Sequence, residues 1–222
     1  MANIGQRFRG FYPVVIDVET GGFSAQENAL LEIAAVLIEC DDNGQLRRGE
    51  SIHRHIEIFP GLRCDAAALA FNGIDPTHPF RFAVSEQQAF NEMFQTIRLA
   101  QKTHQCTRSV LVGHNAWFDL AFVNAAIARN KIKRAPLHPF TSFDTASLAG
   151  LACGQTVLAK ACATVGIPFD SNEAHSAVYD AERTADLFCW IVNRWSQLGG
   201  WPMAAAIESN TKDDDQFAGE DE

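Results

Sequence analysis

Apolar residues recur along this chain with two periods, short at first and longer later. In Val14 to Thr20, three β-branched residues run into Asp17, and Val18 separates that acid from Glu19. Such a run predicts a strand buried on both faces. Gly21-Gly22 makes a turn, and Phe23 stands at its end, before the polar loop Ser24 to Asn28. Leu30 to Ile38 is a second apolar run, and Asp41-Asp42-Asn43-Gly44 is a hairpin turn signal. Ser51 to Ile58 alternates in part, with Ile52, Ile56 and Ile58 set against His53, His55 and Glu57. Three strands on short turns predict an antiparallel meander. His53 and His55 have the spacing of a metal pair. The plainer reading is alternating polar residues on a half-exposed strand.

Helical spacing then takes over. Asp65 is expected to cap a short helix ending at Phe71, with Asn72-Gly73 as its stop. Ser85-Glu86-Gln87-Gln88 fits a capping box, and beyond it Phe90, Met93, Phe94 and Ile97 share one face. Ser109 to Val112 reads as a short strand, turned by Gly113-His114-Asn115 into a helix from about Ala116 to Asn130. Phe143 closes another short strand, followed by helices near Thr145 to Leu151 and Thr156 to Val165. Val178, Ala181, Ala185, Phe188, Val192 and Trp195 mark a last helix. Strands first, then strands mixed with helices, indicate an α/β layer fold with a partly antiparallel sheet.

Composition narrows the class. In 222 residues, 47% apolar content is enough for one sizeable core, hence one domain. No apolar run approaches the ~20 residues of a membrane span, and the polar N-terminus does not read as a secretory signal. The six cysteines form no C-x-x-C pair and read as buried thiols of a reducing, cytoplasmic setting. The formal charge of −9 argues against nucleic acid as a partner. However, Asp213, Asp214, Asp215, Glu220, Asp221 and Glu222 lie in an aperiodic tail that reads as disordered, residues 208–222. The domain itself is expected over residues 1–207.

Strand alternation puts Asp17 and Glu19 on the same face, roughly 7 Å apart along the strand. Buried together they are costly to ionise without a cation, although two acids paired with Lys or Arg at a fraying end would look the same. Asp119 falls in the first turn of a helix, where a capping acid is ordinary. Asp180 lies on the polar side of the last helix and His175 just before it. Singly, each reads as a surface group or a cap.

Taken together, Asp17 and Glu19 on a strand, Asp119 in an H-N-x-x-F-D-like turn and His175-x-x-x-x-Asp180 resemble the DEDDh exonucleases in order, spacing and context. Further matching stretches are Arg7 to Thr20, Leu69 to Pro76, Phe140 to Thr145, Ala149 to Leu158 and Asn193 to Pro202. They are similar to one branch of that family, and the likeness runs to about residue 207. The resemblance implies a ribonuclease H-like α/β fold: a mixed central sheet with an antiparallel three-strand start, flanked by helices. It implies a 3′→5′ exoribonuclease that trims structured RNAs in tRNA end turnover and 3′ maturation of stable RNAs, rRNA precursors included. Single-stranded DNA ends are further substrates. It implies two Mg²⁺ ions per site, with Mn²⁺ able to substitute, held by Asp17, Glu19, Asp119 and Asp180. His175 takes a proton from the attacking water, and nucleoside 5′-monophosphates are released.

The branch also implies base stacking by Phe23, Phe71, Phe118 and Phe140, against which stands the plainer reading of four core residues among 16 phenylalanines. One departure is Ala67, where the branch carries a Glu four residues before the short-helix Phe. This puts discrimination against a terminal cytosine in doubt. Arg7, Arg9, Lys102, Arg108 and Lys133 match a phosphate-binding patch, and the branch is a homodimer with one subunit's patch beside the other's site. Each could equally be a solvated surface charge. Competing readings are a proofreading DNA exonuclease, a catalytically silent RNA-binding module, and a metallophosphoesterase built on His53, His55 and His175.

Overall fold

The computed structural model describes residues 4–200. A one-turn helix α1 (Ile4–Arg7) leads into strands β1 (Phe11–Thr20), β2 (Leu30–Cys40) and β3 (Leu46–His55). Helices α2 (Ala66–Asn72) and α3 (Glu86–Thr103) follow, then β4 (Arg108–Gly113), α4 (Trp117–Arg129) and β5 (Leu137–Asp144). Helices α5 (Thr145–Cys153), α6 (Leu158–Val165) and α7 (Ala177–Gln197) close the described chain. The sheet order is β3-β2-β1-β4-β5. β1, β2 and β3 are antiparallel neighbours, while β4 runs parallel to β1 and β5 parallel to β4. This is the expected mixed sheet with an antiparallel three-strand start.

Successive residues Val14, Val15 and Ile16 are all fully buried, so both faces of β1 are covered. Each such side chain contributes about 1.5–3 kcal/mol by leaving water. Helix α7 packs along β3, β2 and β1, with Ala181, Ala185, Phe188 and Val192 in the core, as its spacing predicts. Helices α5 and α6 are apolar in composition but form a second, smaller core against Leu187 and Ile191 of α7. Among the described residues no single helix is long and apolar enough to cross a membrane.

Several sequence expectations are corrected. The third strand begins at Leu46, five residues before Ser51, and ends at His55; Ile58 lies beyond it, exposed. β5 is a full parallel strand rather than a stub at Phe143. Ser85 accepts from the Gln88 N–H at 3.3 Å, but the Gln88 side chain turns away to donate to Glu92, so the capping box is half formed. Asp65 stands at the N-cap of α2 in extended conformation, but its side chain makes no cap bond; the carboxylate accepts from Asn28 Nδ2 at 3.2 Å. Gly73 does end that helix, in the left-handed conformation that glycine takes without strain (φ 68°). Only Cys162 and Cys189 are buried; the other four thiols are partly exposed. Trp195 is half-exposed, its ring lying over Gly200. The acidic tail, and the domain boundary at residue 207, lie outside the described residues.

Candidate active site

β1 ends in the acidic pair. Asp17 and Glu19 leave the same face of the strand, half-buried. Strand pairing carries the row further, because Glu19 stands opposite Glu32 on β2. From the parallel side, Gly113 at the end of β4 lets α4 start close to β1. A Cβ there would stand 3.0 Å from the Ala116 Cα and 3.1 Å from Asp119 Oδ2. Asp119 is 4% exposed and accepts from the Val18 N–H of β1 at 3.1 Å. Asp144, the N-cap of α5, accepts from the Asn115 N–H at 2.9 Å and so holds the turn that presents α4.

The fourth acid comes from α7. Asp180 Oδ2 accepts from the His175 N–H at 3.0 Å, while its Oδ1 is buried without a hydrogen-bond partner. His175 itself is exposed and left-handed at φ 68°, with its ring 4.4 Å from that of Phe71. Glu19, His175 and Asp180 can each bring one ligand atom within 4.8 Å of the others.

Burial, reinforced by Asp119, Asp180 and Glu19, holds the Asp17 carboxyl well above the usual range. Burial, then Asp180 and Glu32, pushes Glu19 up to about 8, against the nearby Asn72 amide. Burial likewise raises Asp119 despite its backbone hydrogen bond, and raises Asp180 despite the His175 N–H. Four acids that repel one another, one of them with an orphaned buried oxygen, fit a hard divalent cation that prefers oxygen ligands. All five residues expected from the sequence are therefore brought together.

The aromatic set is spread around this centre. Phe23 is 89% exposed and meets the half-buried Phe118 edge-on at 6.1 Å. Phe71 is 69% exposed, one helical turn from Ala67 on α2. Phe140 is 79% exposed on β5, its ring edge-on to His138 at 4.4 Å. Three of the four are therefore not core residues. The basic residues are more dispersed. Arg7 donates to the Val192 carbonyl at 3.0 Å and to Ser196 Oγ, against the end of α7. Arg9 precedes β1, and Arg108 opens β4 opposite Phe11. Exposed Lys102 lies in the last turn of α3, and exposed Lys133 in the loop after α4. Sequence reasoning missed Asn72, whose Nδ2 donates to the Thr20 carbonyl at 3.1 Å. It also missed Glu32, hidden in an apolar run; no local signal marks either.

A family model described as "Exonuclease" (RNase_T) matches residues 14–188, which include all five residues. Ribonuclease T of Shewanella oneidensis is 60% identical over 210 residues, covering 95% of each chain. Ribonuclease T of Shewanella denitrificans is 59% identical over 213 residues, covering 96% of this chain and 94% of that one. Among solved structures, E. coli exonuclease I in complex with a dT13 oligonucleotide superposes with a TM-score of 0.63 at 16% identity, over 86% of this chain and 43% of that one. The nuclease domain of 3′hExo, a DEDDh family member bound to rAMP, gives 0.58 at 15% identity, over 85% and 92%. At such identity the two structures speak for the fold alone, whereas the relatives near 60% extend along almost the whole chain. With four acids gathered where a divalent cation would fit, the chain belongs to the ribonuclease T family of exoribonucleases, hydrolases that work 3′→5′.

Proposed function

We infer that this enzyme removes nucleotides singly from single-stranded 3′ ends of structured RNAs, tRNA and rRNA precursors among them, and acts on single-stranded DNA ends as well. The observation that carries this reading is the convergence of Asp17, Glu19, Asp119 and Asp180 beside an exposed His175, with exposed Phe71 against it. The four carboxylates would hold two divalent cations, Mg²⁺ by the hardness of the oxygen donors, with Mn²⁺ able to substitute. Bound there, such ions supply charge neutralisation at the phosphodiester and acidify water.

The chain's own residues do the rest. His175 stands outside the helix and accepts the proton of the attacking water. Phe23, Phe71, Phe118 and Phe140 stack on the terminal bases, which fits the exposed rings of Phe23, Phe71 and Phe140 and requires no particular sequence. The products are a nucleoside 5′-monophosphate and a strand one nucleotide shorter. Arg7, Arg9, Lys102, Arg108 and Lys133 position the phosphates of a stem, in a cytoplasmic homodimer where one subunit's patch serves the other's site. The catalytic unit is one domain, residues 1–207, followed by an acidic tail.

The test uses purified protein, Mg²⁺ and 5′-labelled RNA with a short 3′ overhang. Stepwise shortening from the 3′ end is expected, stopping near the stem. Asp17→Ala should abolish it while the protein stays folded, because one of several crowded like charges is removed. Substantial turnover by Asp17→Ala would remove the carboxylate-held cations from the mechanism.

A further inference from the structure

Beyond Glu19, the same face of the sheet carries a second group of ligand side chains, none of them among Asp17, Glu19, Asp119, His175 and Asp180. Glu32 on β2 stands opposite both Glu19 on β1 and His55 on β3. His53, two residues before His55, leaves the same face and lies opposite Ala34, whose small side chain leaves space beside it. One ligand atom each from Glu32, His53 and His55 lies within 4.8 Å of the other two. Glu32 is buried and both imidazoles are partly so.

The Glu32 carboxylate meets both imidazoles at close range. His55 Nδ1 is 2.8 Å from Glu32 Oε1, and His53 Nε2 is 3.5 Å from Glu32 Oε2. Both ring nitrogens are buried, and neither makes a well-directed hydrogen bond. The rings meet edge-on, at 4.7 Å and 80°. Two imidazole nitrogens and a carboxylate that converge on one buried point form a donor set able to share a cation. Around a tetrahedral zinc with bonds of 2.0–2.1 Å, neighbouring donors stand about 3.3 Å apart. The two separations, one to each oxygen of Glu32, lie on either side of that value.

We propose that Glu32, His53 and His55 form a second divalent-cation site of the zinc class, distinct from the carboxylate centre. Two imidazoles and one carboxylate suit zinc, whereas all-oxygen sets suit magnesium. Three protein ligands leave a fourth position, and the cluster opens on a cavity also lined by Asn72, Arg81 and His175. An ion there is reachable from solvent and from the same side as the substrate end. This assignment rests on the pairing of β2 with β3, so its failure would leave the exonuclease reading intact.

The experiment is equilibrium dialysis of the full chain against Zn²⁺ in excess Mg²⁺, which occupies the all-oxygen centre. One zinc per chain is expected. Co²⁺ in its place should give the visible absorption of a tetrahedral nitrogen–oxygen site, and Zn²⁺ should bleach it. His53→Ala and His55→Ala should each abolish the signal, and Asp119→Ala should retain it. Circular dichroism accompanies every variant. His53→Gln, which keeps a polar side chain on a half-exposed strand, replaces any variant that fails to fold. Absence of zinc uptake by the unaltered protein under excess Mg²⁺ would overturn the proposal. So would zinc retained by the histidine variants, or lost with Asp119→Ala instead.

Discussion

In the proposed mechanism the chemistry turns on His175, and its backbone is unusual. A non-glycine residue at φ 68° costs of order 1–3 kcal/mol, here held by the Asp180 contact and the Phe71 ring. The imidazole thereby stays outside α7, free to meet a substrate. His175→Ala is expected to lower kcat by roughly 10²–10⁴-fold, the usual cost of losing a general base. The carboxylates remain, so a metal titration of the variant should be little changed. Normal kcat with weakened metal affinity would instead make His175 a ligand, a role its proximity to Glu19 and Asp180 permits. Phe23 offers a cleaner dissection of binding. With 89% of it exposed, truncation to alanine should leave the Tm almost unmoved, as at other surface positions. Losing a stack worth about 1–3 kcal/mol should raise KM for RNA roughly 5- to 150-fold. A KM within twofold of normal would remove Phe23 from the base-binding set.

Between elements, one buried ion pair sets how α3 and α4 meet. Glu86 opens α3 with a side chain 1% exposed, and accepts from Arg129 Nε at 2.7 Å and from Arg129 Nη2. Asn130 Nδ2 donates to the same carboxylate at 2.6 Å, and the guanidinium lies 5.6 Å from the Phe59 ring centre. Glu86 accepts three hydrogen bonds, and Arg129 Nη1 donates to the Ala25 carbonyl at 3.2 Å, so deleting one partner strands a charge. Glu86→Ala is expected to cost about 3–5 kcal/mol in urea unfolding, far more than an average substitution. Because α4 also carries Asp119, activity at temperatures approaching the lowered Tm should fall with it. A loss below about 1 kcal/mol would mean that Arg129 finds water when released. In the sequence Glu86 reads only as part of a capping box. Its function as the anchor of α4 depends on Arg129, 43 positions away.

Across the whole molecule the acids set a pH dependence. Glu19 is raised to about 8, and Asp17, Asp119 and Asp180 are raised as well. An unfolded Glu titrates near 4.3, so between about pH 4.3 and 8 the native state binds more protons than the unfolded chain. Stability therefore falls as pH rises through that window, being greatest below it and levelling off above it. In EDTA the Tm should drop from pH 5 to pH 8, and Glu19→Gln should make that drop smaller, with Asp17, Asp119 and Asp180 supplying the remainder. Added Mg²⁺ should raise the Tm more at pH 8 than at pH 5, because ion and proton compete for the same oxygens. Equal Mg²⁺ shifts at both pH values would place the cation elsewhere.

Most elements were legible because their signals are local. Alternation along Val14 to Thr20 already put Asp17 and Glu19 on one face, and Asn72-Gly73 already stopped α2. The gathering of His175 and Asp180 with the strand acids was readable only through resemblance, since nothing local links residue 17 to residue 180. What tertiary structure alone decided are relations of register and reach. Glu32 faces Glu19 and His55 because β2 pairs with both neighbours in one particular register, and a shift by one residue would send it to the opposite face. Phe143 became part of a full parallel strand because β4 supplies the ladder. The Gln88 and Asp65 side chains left their expected caps for Glu92 and Asn28, partners brought within reach by the fold. Local preference selects each element, but the burial of both sheet faces fixes which side chains meet across it.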